Sequence, residues 1–230
     1  MMKKITQKEL DKIIEKHELW LKGEDGGERA DLSNKDLSFM SLAGVNLCGA
    51  NFSSANLFCA SFSDTNLCRA NLAGANLCDA FLVRTNLTEA DICQTNFHKA
   101  KIAGANLGGV IADDNTKYFN LVCPEEGSFI GWKKAFSKDW YQVLIKLLIP
   151  KDAKRSSATT RKCRASKAKV LKMVVAETGE VVDVAYSCYQ SDFEYHTGEY
   201  VYPDSFDEDR WIECANGIHF FMTKQEAIDY

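Results

Sequence analysis

From Leu32 to Leu107 every fifth residue is Leu, Phe or Ile, sixteen centres in unbroken register. Two residues before each centre stands Ala in ten cases and Thr in three (Thr65, Thr85, Thr95), and the residue just before it is Asn or Asp in twelve. The unit reads Ala-Asn-Leu-x-x. A period of five matches neither the turn of an α-helix nor the alternation of a strand, so neither element keeps these side chains on one face. A square coil does so. If each pentapeptide forms one side, four complete a turn of twenty residues and every centre points to the axis beside its small partner. Coils stacked at strand spacing, about 4.7 to 4.9 Å, satisfy one another's backbone groups, and sixteen sides make about four coils in a rod roughly 19 Å long.

The first coil departs from the pattern, with Lys35, Met40 and Val45 at small-residue positions. End repeats of a stack are commonly atypical, so Lys35 is expected to snorkel out of an imperfect first coil. Upstream, Thr6-x-x-Glu9 is a capping box, Ile5 and Leu10 stand at staple positions and Gly23 follows the last turn. These predict a helix from about Gln7 to Leu21. Its apolar face, Leu10, Ile13, Ile14, Trp20 and Leu21, needs a surface to cover, and the open end of the rod is the nearest. His17 shares that face and reads as a core-edge histidine.

Downstream the composition shifts: ten of thirteen Asn lie within residues 30–109, but eighteen of twenty-five aromatics lie beyond them. The turn-rich stretches 112–116 and 123–124 are natural boundaries. Residues 129–135, 142–149, 169–176, 181–186 and 217–221 read as strands, with 178–180 as a hairpin turn. Thr223 and Glu226 open a last short helix. The expected division is a capping helix over 1–29, the coil over 30–119 and a small α+β domain over 120–230.

Segments such as Ala50-Asn51-Phe52, Ala55-Asn56-Leu57, Ala70-Asn71-Leu72 and Ala75-Asn76-Leu77 resemble the pentapeptide-repeat family over residues 30–109. The resemblance implies a mainly β fold, a right-handed quadrilateral β-helix whose handedness comes from the family. The segments 131–135, 151–156, 161–170 and Cys214-x-x-Gly217-Ile-His-Phe-Phe221 resemble an uncharacterised domain attached to such repeats in phage-associated and bacterial proteins. No activity comes with that resemblance.

The chain is 46% hydrophobic and 26% charged, which places it among folded globular proteins, and it has no apolar run long enough for a membrane helix. The Met-Met-Lys-Lys start lacks the features of a secretory signal, so a cytoplasmic protein with reduced thiols is expected. Its nine Cys contain no Cys-x-x-Cys pair, and Cys214-x4-His219 lacks the rest of a zinc set. Cys48 and Cys68 fall in one outer column, Cys78 in another with Phe58 and His98. The four His (His17, His98, His196, His219) sit in no catalytic motif, and phosphate-cradling glycine loops are absent. The expectation is therefore no enzyme, no cofactor, no metal and no catalytic residue.

Charge is segregated. Residues 151–172 hold nine bases against Asp152, and 177–213 hold eleven acids against Arg210. Lys154, Arg155, Arg161, Lys162, Arg164 and Lys167 are candidate phosphate contacts for a nucleotide or nucleic acid. The simpler reading is that the two blocks neutralise each other within one domain. The family resemblance also implies a second alternative, mimicry of double-stranded DNA against gyrase or another type II topoisomerase. Residues 30–109 carry six acids and five bases, a poor match to a DNA surface. The leading expectation is a non-catalytic interaction or scaffold protein, phage-associated and acting on a host protein. In it the rod is a rigid wall presenting Phe58 and Phe81, and the C-terminal domain is the partner-binding head.

Overall fold

The computed structural model describes residues 2–189 and 192–230. The chain divides into two compact units, Met1–Asn120 and Leu121–Tyr230.

The first unit opens with β1 (Lys3–Lys4) and α1 (Gln7–Lys22). Thr6 and Glu9 exchange the reciprocal bonds of the capping box, and Gly23 ends the helix at φ 72°. β1 pairs in parallel with β2 (Lys35–Asp36). Beyond it, parallel backbone bridges link residues twenty apart, from Asp31 with Asn51 through Asp91 with Ile111. The stretch is thus a solenoid of twenty-residue coils. The centres from Leu32 to Ile102 are fully buried, and Leu107 is half-buried.

The other four pentapeptide positions have equally physical explanations. The Ala partners from Ala30 to Ala100 are buried, and Ala105 is half-buried. Where Thr replaces Ala its hydroxyl is satisfied by a carbonyl of the preceding coil: Thr65 bonds Leu42, Thr85 bonds Phe62 and Thr95 bonds Leu72, at 2.6 to 2.8 Å. The Asn before each centre stacks into ladders, with Asn76 donating to Asn56 and Asn56 to Asp36. The same side-chain oxygens accept the backbone N–H two residues on, as Asn51 does from Ser53. Each centre's carbonyl closes a turn with the third residue after it, as in Ala50 to Leu47 at 3.0 Å. That turn demands a positive φ at the second residue after the centre, and from Asn34 to Gly109 all of these lie between 54° and 74°. Only five are glycine; side chains as large as Arg69 and Phe39 accept the left-handed conformation because stacked neighbours fix the turn from both sides.

Lys35 is half-exposed, in keeping with an ammonium that leaves the axis. The expected face of α1 is altered: Leu10 and His17 are fully buried, Ile13, Ile14 and Leu21 half-buried, and Trp20 is 41% exposed. His17 is a central contact rather than an edge one. Its Nδ1 accepts the Ala30 N–H at 3.1 Å, its ring stacks on Trp20, and burial holds its pKa below the usual value. The chain then folds back so tightly that a Cβ on Gly27 would lie 2.4 Å from the backbone nitrogen of Trp20. Gly27→Ala is therefore expected to cost about 1 to 3 kcal/mol, read as a lower denaturation midpoint, although φ at this position asks for no glycine. Residues 112–117 add to the end of the solenoid. Asp113 accepts from the Gln94 N–H, Thr116 donates to Ile92, and Lys117 bridges Asn96.

The second unit contains β3 (Phe129–Phe136), β4 (Gln142–Ile149), β5 (Arg155–Ser157), β6 (Cys163–Ala165), β7 (Ala168–Val175), β8 (Val184–Tyr186), β9 (Glu194–His196), β10 (Tyr200–Val201), β11 (Ile218–Phe220) and α2 (Lys224–Asp229). The six-stranded sheet runs β10-β7-β4-β3-β8-β9 and the three-stranded sheet β11-β6-β5. The larger sheet curls on itself. Val181 bridges Val174 of β7, while Tyr186, only five residues on, pairs with Phe136 of β3, on the far side of β4. Its inner face packs Val143, Ile145, Leu147, Val170 and Met173 against Phe220 and Tyr195. The last short helix, α2, has six residues behind the Thr223–Glu226 capping box, and the unit is otherwise built of strands and turns. The strand expected over 181–186 divides between two neighbours, and 155–157, 163–165, 194–196 and 200–201 are strands too short for period-two patterning to reveal.

Candidate functional site

β3 alternates: Gly131, Lys133 and Ala135 are buried while their neighbours are half-exposed. Alternation thus turns a lysine inward on a strand whose other buried positions are small. On its outer edge β3 pairs with Phe221 at Trp132 and with Tyr186 at Phe136, so its partners diverge between these points. A cavity of about 310 Å³ opens there, lined among others by Lys133, Lys162, Tyr189, Tyr195, His219 and Tyr230. A second space of about 230 Å³ shares five of these residues and adds Lys134, Phe136, Cys188 and Phe221.

Lys133 is 9% exposed and Lys162 8%. Burial lowers the Lys133 pKa from 10.5 to about 8; the Cys188 thiol opposes this, and the nearby Lys162 charge adds to it. Its Nζ lies 5.7 Å from the centre of the Tyr195 ring and has no ion-pair partner among the described residues. Lys162 donates to the Tyr230 hydroxyl at 3.1 Å and the Cys214 sulfur at 3.4 Å. Burial works against its charge, but these two partners hold its pKa above the ordinary lysine value. His219 is pushed down to about 4 by burial first and then by Lys162, Lys133 and Arg164, so it is neutral at pH 7. Its Nε2 is buried with no hydrogen-bond partner among the described residues. Burial likewise raises the Tyr195 phenol. The arrangement concentrates positive charge in an aromatic-walled recess.

The basic residues of 151–172 do not form one surface. Arg155 donates to the carbonyls of Pro124, Gly127, Pro150, Lys151 and Ala153 and ties the turns around β5 together. Arg164 is 3% exposed and donates to Asp209 and Ile212 carbonyls at 2.5 Å. Arg161 pairs with Glu226 of α2 at 2.6 Å, Lys167 with Asp152 at 2.6 Å, and Lys154 with Glu208. Of the six, Lys162 lines the cavity. The expected neutralisation by the acidic block holds for Lys154 and for Arg164, which is also near Asp207, Asp209 and Glu213. Of the rest, Arg155 is taken up by backbone carbonyls and Arg161 and Lys167 by carboxylates outside that block.

On the solenoid, Phe58 is half-buried and meets Phe39 edge-on at 5.4 Å. Phe39 is 69% exposed. Phe81 is 38% exposed, with Lys101 Nζ 4.6 Å from its ring centre. Arg84 pairs with Asp64 and Arg69 with Glu89 across coils, each at 2.7 Å. His98 stacks against Tyr118 at 4.6 Å. The Cys48 thiol is raised by burial and by neighbouring Cys68. The sequence reading passed over Phe39, though it is an apolar residue at an outward, left-handed position, and Lys133, whose inward strand parity was the available signal.

The profile of the pentapeptide repeats matches residues 36–72 and 70–109, and that of a family of unknown function (DUF5758) matches residues 119–227. No curated protein matches the chain. Among solved structures it is similar to Rfr23, a pentapeptide repeat protein from the cyanobacterium Cyanothece 51142, at 32% identity over 38% of this chain and 59% of that one, TM-score 0.37. It is similar to alr5209, a pentapeptide repeat protein from Nostoc PCC 7120, at 26% identity over 50% and 86% of the two chains, TM-score 0.42. A trypsin-treated form of QnrB1, a plasmid-mediated fluoroquinolone resistance protein, is similar at 19% identity over 40% and 49%, TM-score 0.33. The five-residue register, the twenty-residue bridges and the profile matches agree: the chain carries pentapeptide repeats over residues 36–109 and a C-terminal DUF5758 domain over residues 119–227.

Proposed function

We propose that the chain is a non-catalytic interaction protein in which the solenoid is a rigid wall for a protein partner, α1 closes its first coil, and the C-terminal unit is a binding head. The reading extends to a phage-encoded protein acting on a host protein. The observation that carries it is the edge-on pair of the exposed Phe39 and the half-buried Phe58, an aromatic contact on a surface made largely of ladders, turns and paired charges. Large aromatics surrounded by polar surface are the side chains that anchor protein interfaces. Rigidity supports the same use, because a preorganised wall loses little entropy on binding. The charges on the coils argue against DNA mimicry: Arg84 cancels Asp64 and Arg69 cancels Glu89, leaving no negative stripe of the kind phosphates present.

The test is affinity capture from a cell extract with the full chain and with a Phe39→Ser/Phe58→Ser variant. A stoichiometric partner is expected with the first and at least tenfold less of it with the second, since each aromatic hot spot is worth about 2 kcal/mol or more. Equal recovery would remove the solenoid face from the interface. Gyrase supercoiling is expected to be unchanged by the protein, with or without a quinolone.

A further inference from the structure

Elsewhere in this unit, the described buried and half-buried arginines have acceptors beside them, with the Arg164 Nε alone left unbonded. Arg164 has two carbonyl acceptors and three carboxylates near it, and Arg155 is held by five carbonyls. The cavity of the C-terminal unit breaks that rule at Lys133, whereas Lys162 meets only the Tyr230 hydroxyl and the Cys214 sulfur. Lys133 and Lys162 are each more than nine-tenths buried, both line the recess, and neither is ion-paired among the described residues. The sole carboxylate in the lining, Asp204, is exposed and pairs with neither. A buried ammonium without a counter-charge costs several kcal/mol, and an anion of the right size removes that cost.

We infer that this recess is a binding site for a small aromatic carboxylate, its carboxylate held by Lys133 and Lys162 and its ring set against the buried Tyr195, with the exposed Tyr189 and Tyr230 at the rim. Three features choose the class. The charge to be matched is two point-like ammonium groups, without the planar guanidinium fork that suits bidentate phosphate recognition, since the lining residues include no arginine. The walls are phenol and phenyl rings, which reward an aromatic body over a hydrated inorganic ion. The volume, about 310 Å³, is at the small end of ligand pockets. The neutral His219 adds a polar edge to the lining.

The inference is independent of the solenoid interface and is tested by calorimetric titration of the full chain at pH 7 with benzoate, its neutral isostere benzamide, and inorganic phosphate. Benzoate is expected to bind at least tenfold more tightly than either of the others. Lys133→Met and Lys162→Met are each expected to weaken benzoate at least tenfold while the melting temperature of Lys133→Met does not fall, which separates lost charge from lost fold. No benzoate binding at millimolar concentration, benzamide binding as well as benzoate, phosphate binding more tightly, or unchanged affinity in both variants would each overturn it.

Discussion

Lys133→Met is expected to stabilise the C-terminal unit by about 3 kcal/mol at pH 7 and to abolish part of its pH dependence. The drop in the lysine's pKa from 10.5 to about 8 means that the folded state binds its proton less tightly than the unfolded chain does. Each unit of such a shift is worth about 1.4 kcal/mol. The sign follows from proton counting: between pH 8 and 10.5 the unfolded state holds more protons, so raising the pH through this window stabilises the folded protein. Below pH 8 the penalty is fully present. Methionine keeps the length and apolar stem of lysine and removes the charge, the exchange that relieves a buried unmatched ion. Urea denaturation at pH 7 and pH 10.5, followed by the fluorescence of Trp132, Trp140 and Trp211, should show a large difference between wild type and variant at the lower pH and a small one at the higher. An equal difference at both pH values would mean that the amine is neutral or well hydrated in the fold.

Leu72→Ala should cost the solenoid about 2 to 5 kcal/mol, the range for truncating a fully buried leucine that leaves a cavity. Leu72 stacks between the coils of Phe52 and Ile92, and its backbone is held by the Asp91 carbonyl at 2.7 Å and by the Thr95 hydroxyl at 2.8 Å. The walls cannot relax into the void without breaking those bonds. Leu107→Ala is the internal control, since this centre is half-buried where Leu72 is fully buried. Far-UV circular dichroism during urea unfolding of the two variants should place Leu72→Ala well below Leu107→Ala. Equal losses would mean that the axis is not tightly packed at its middle.

The solenoid was legible because its signal is local and repeated. Each centre from Leu32 to Ile102 needs the same environment, and a fixed five-residue spacing reports that need without any knowledge of the rest of the chain. The capping boxes at Thr6 and Thr223 were legible for the same reason: donor and acceptor lie three residues apart. The role of the Asn ladders was hidden, since Asn76 and Asn56 meet only once the coil has closed. The basic block of 151–172 misled in an instructive way. Composition shows that Arg155 and Arg164 are charged, but only the fold shows that carbonyls of turns remote in sequence, at Pro124, Gly127, Asp209 and Ile212, take up their donors.

The amino-acid order alone thus determined a stacked coil with a dry axis, a helix before it and a strand-rich unit after it, because burial along a repeat is set by neighbours a few residues away. Tertiary structure decided the chemistry. Lys133 lies on a strand like many surface lysines, and it becomes a buried, weakened base only because Lys162, Tyr195, His219 and Tyr230 come together around it from four separate segments. Desolvation and the field of neighbouring charges depend on distance in space, and hydrophobic periodicity carries no record of that distance.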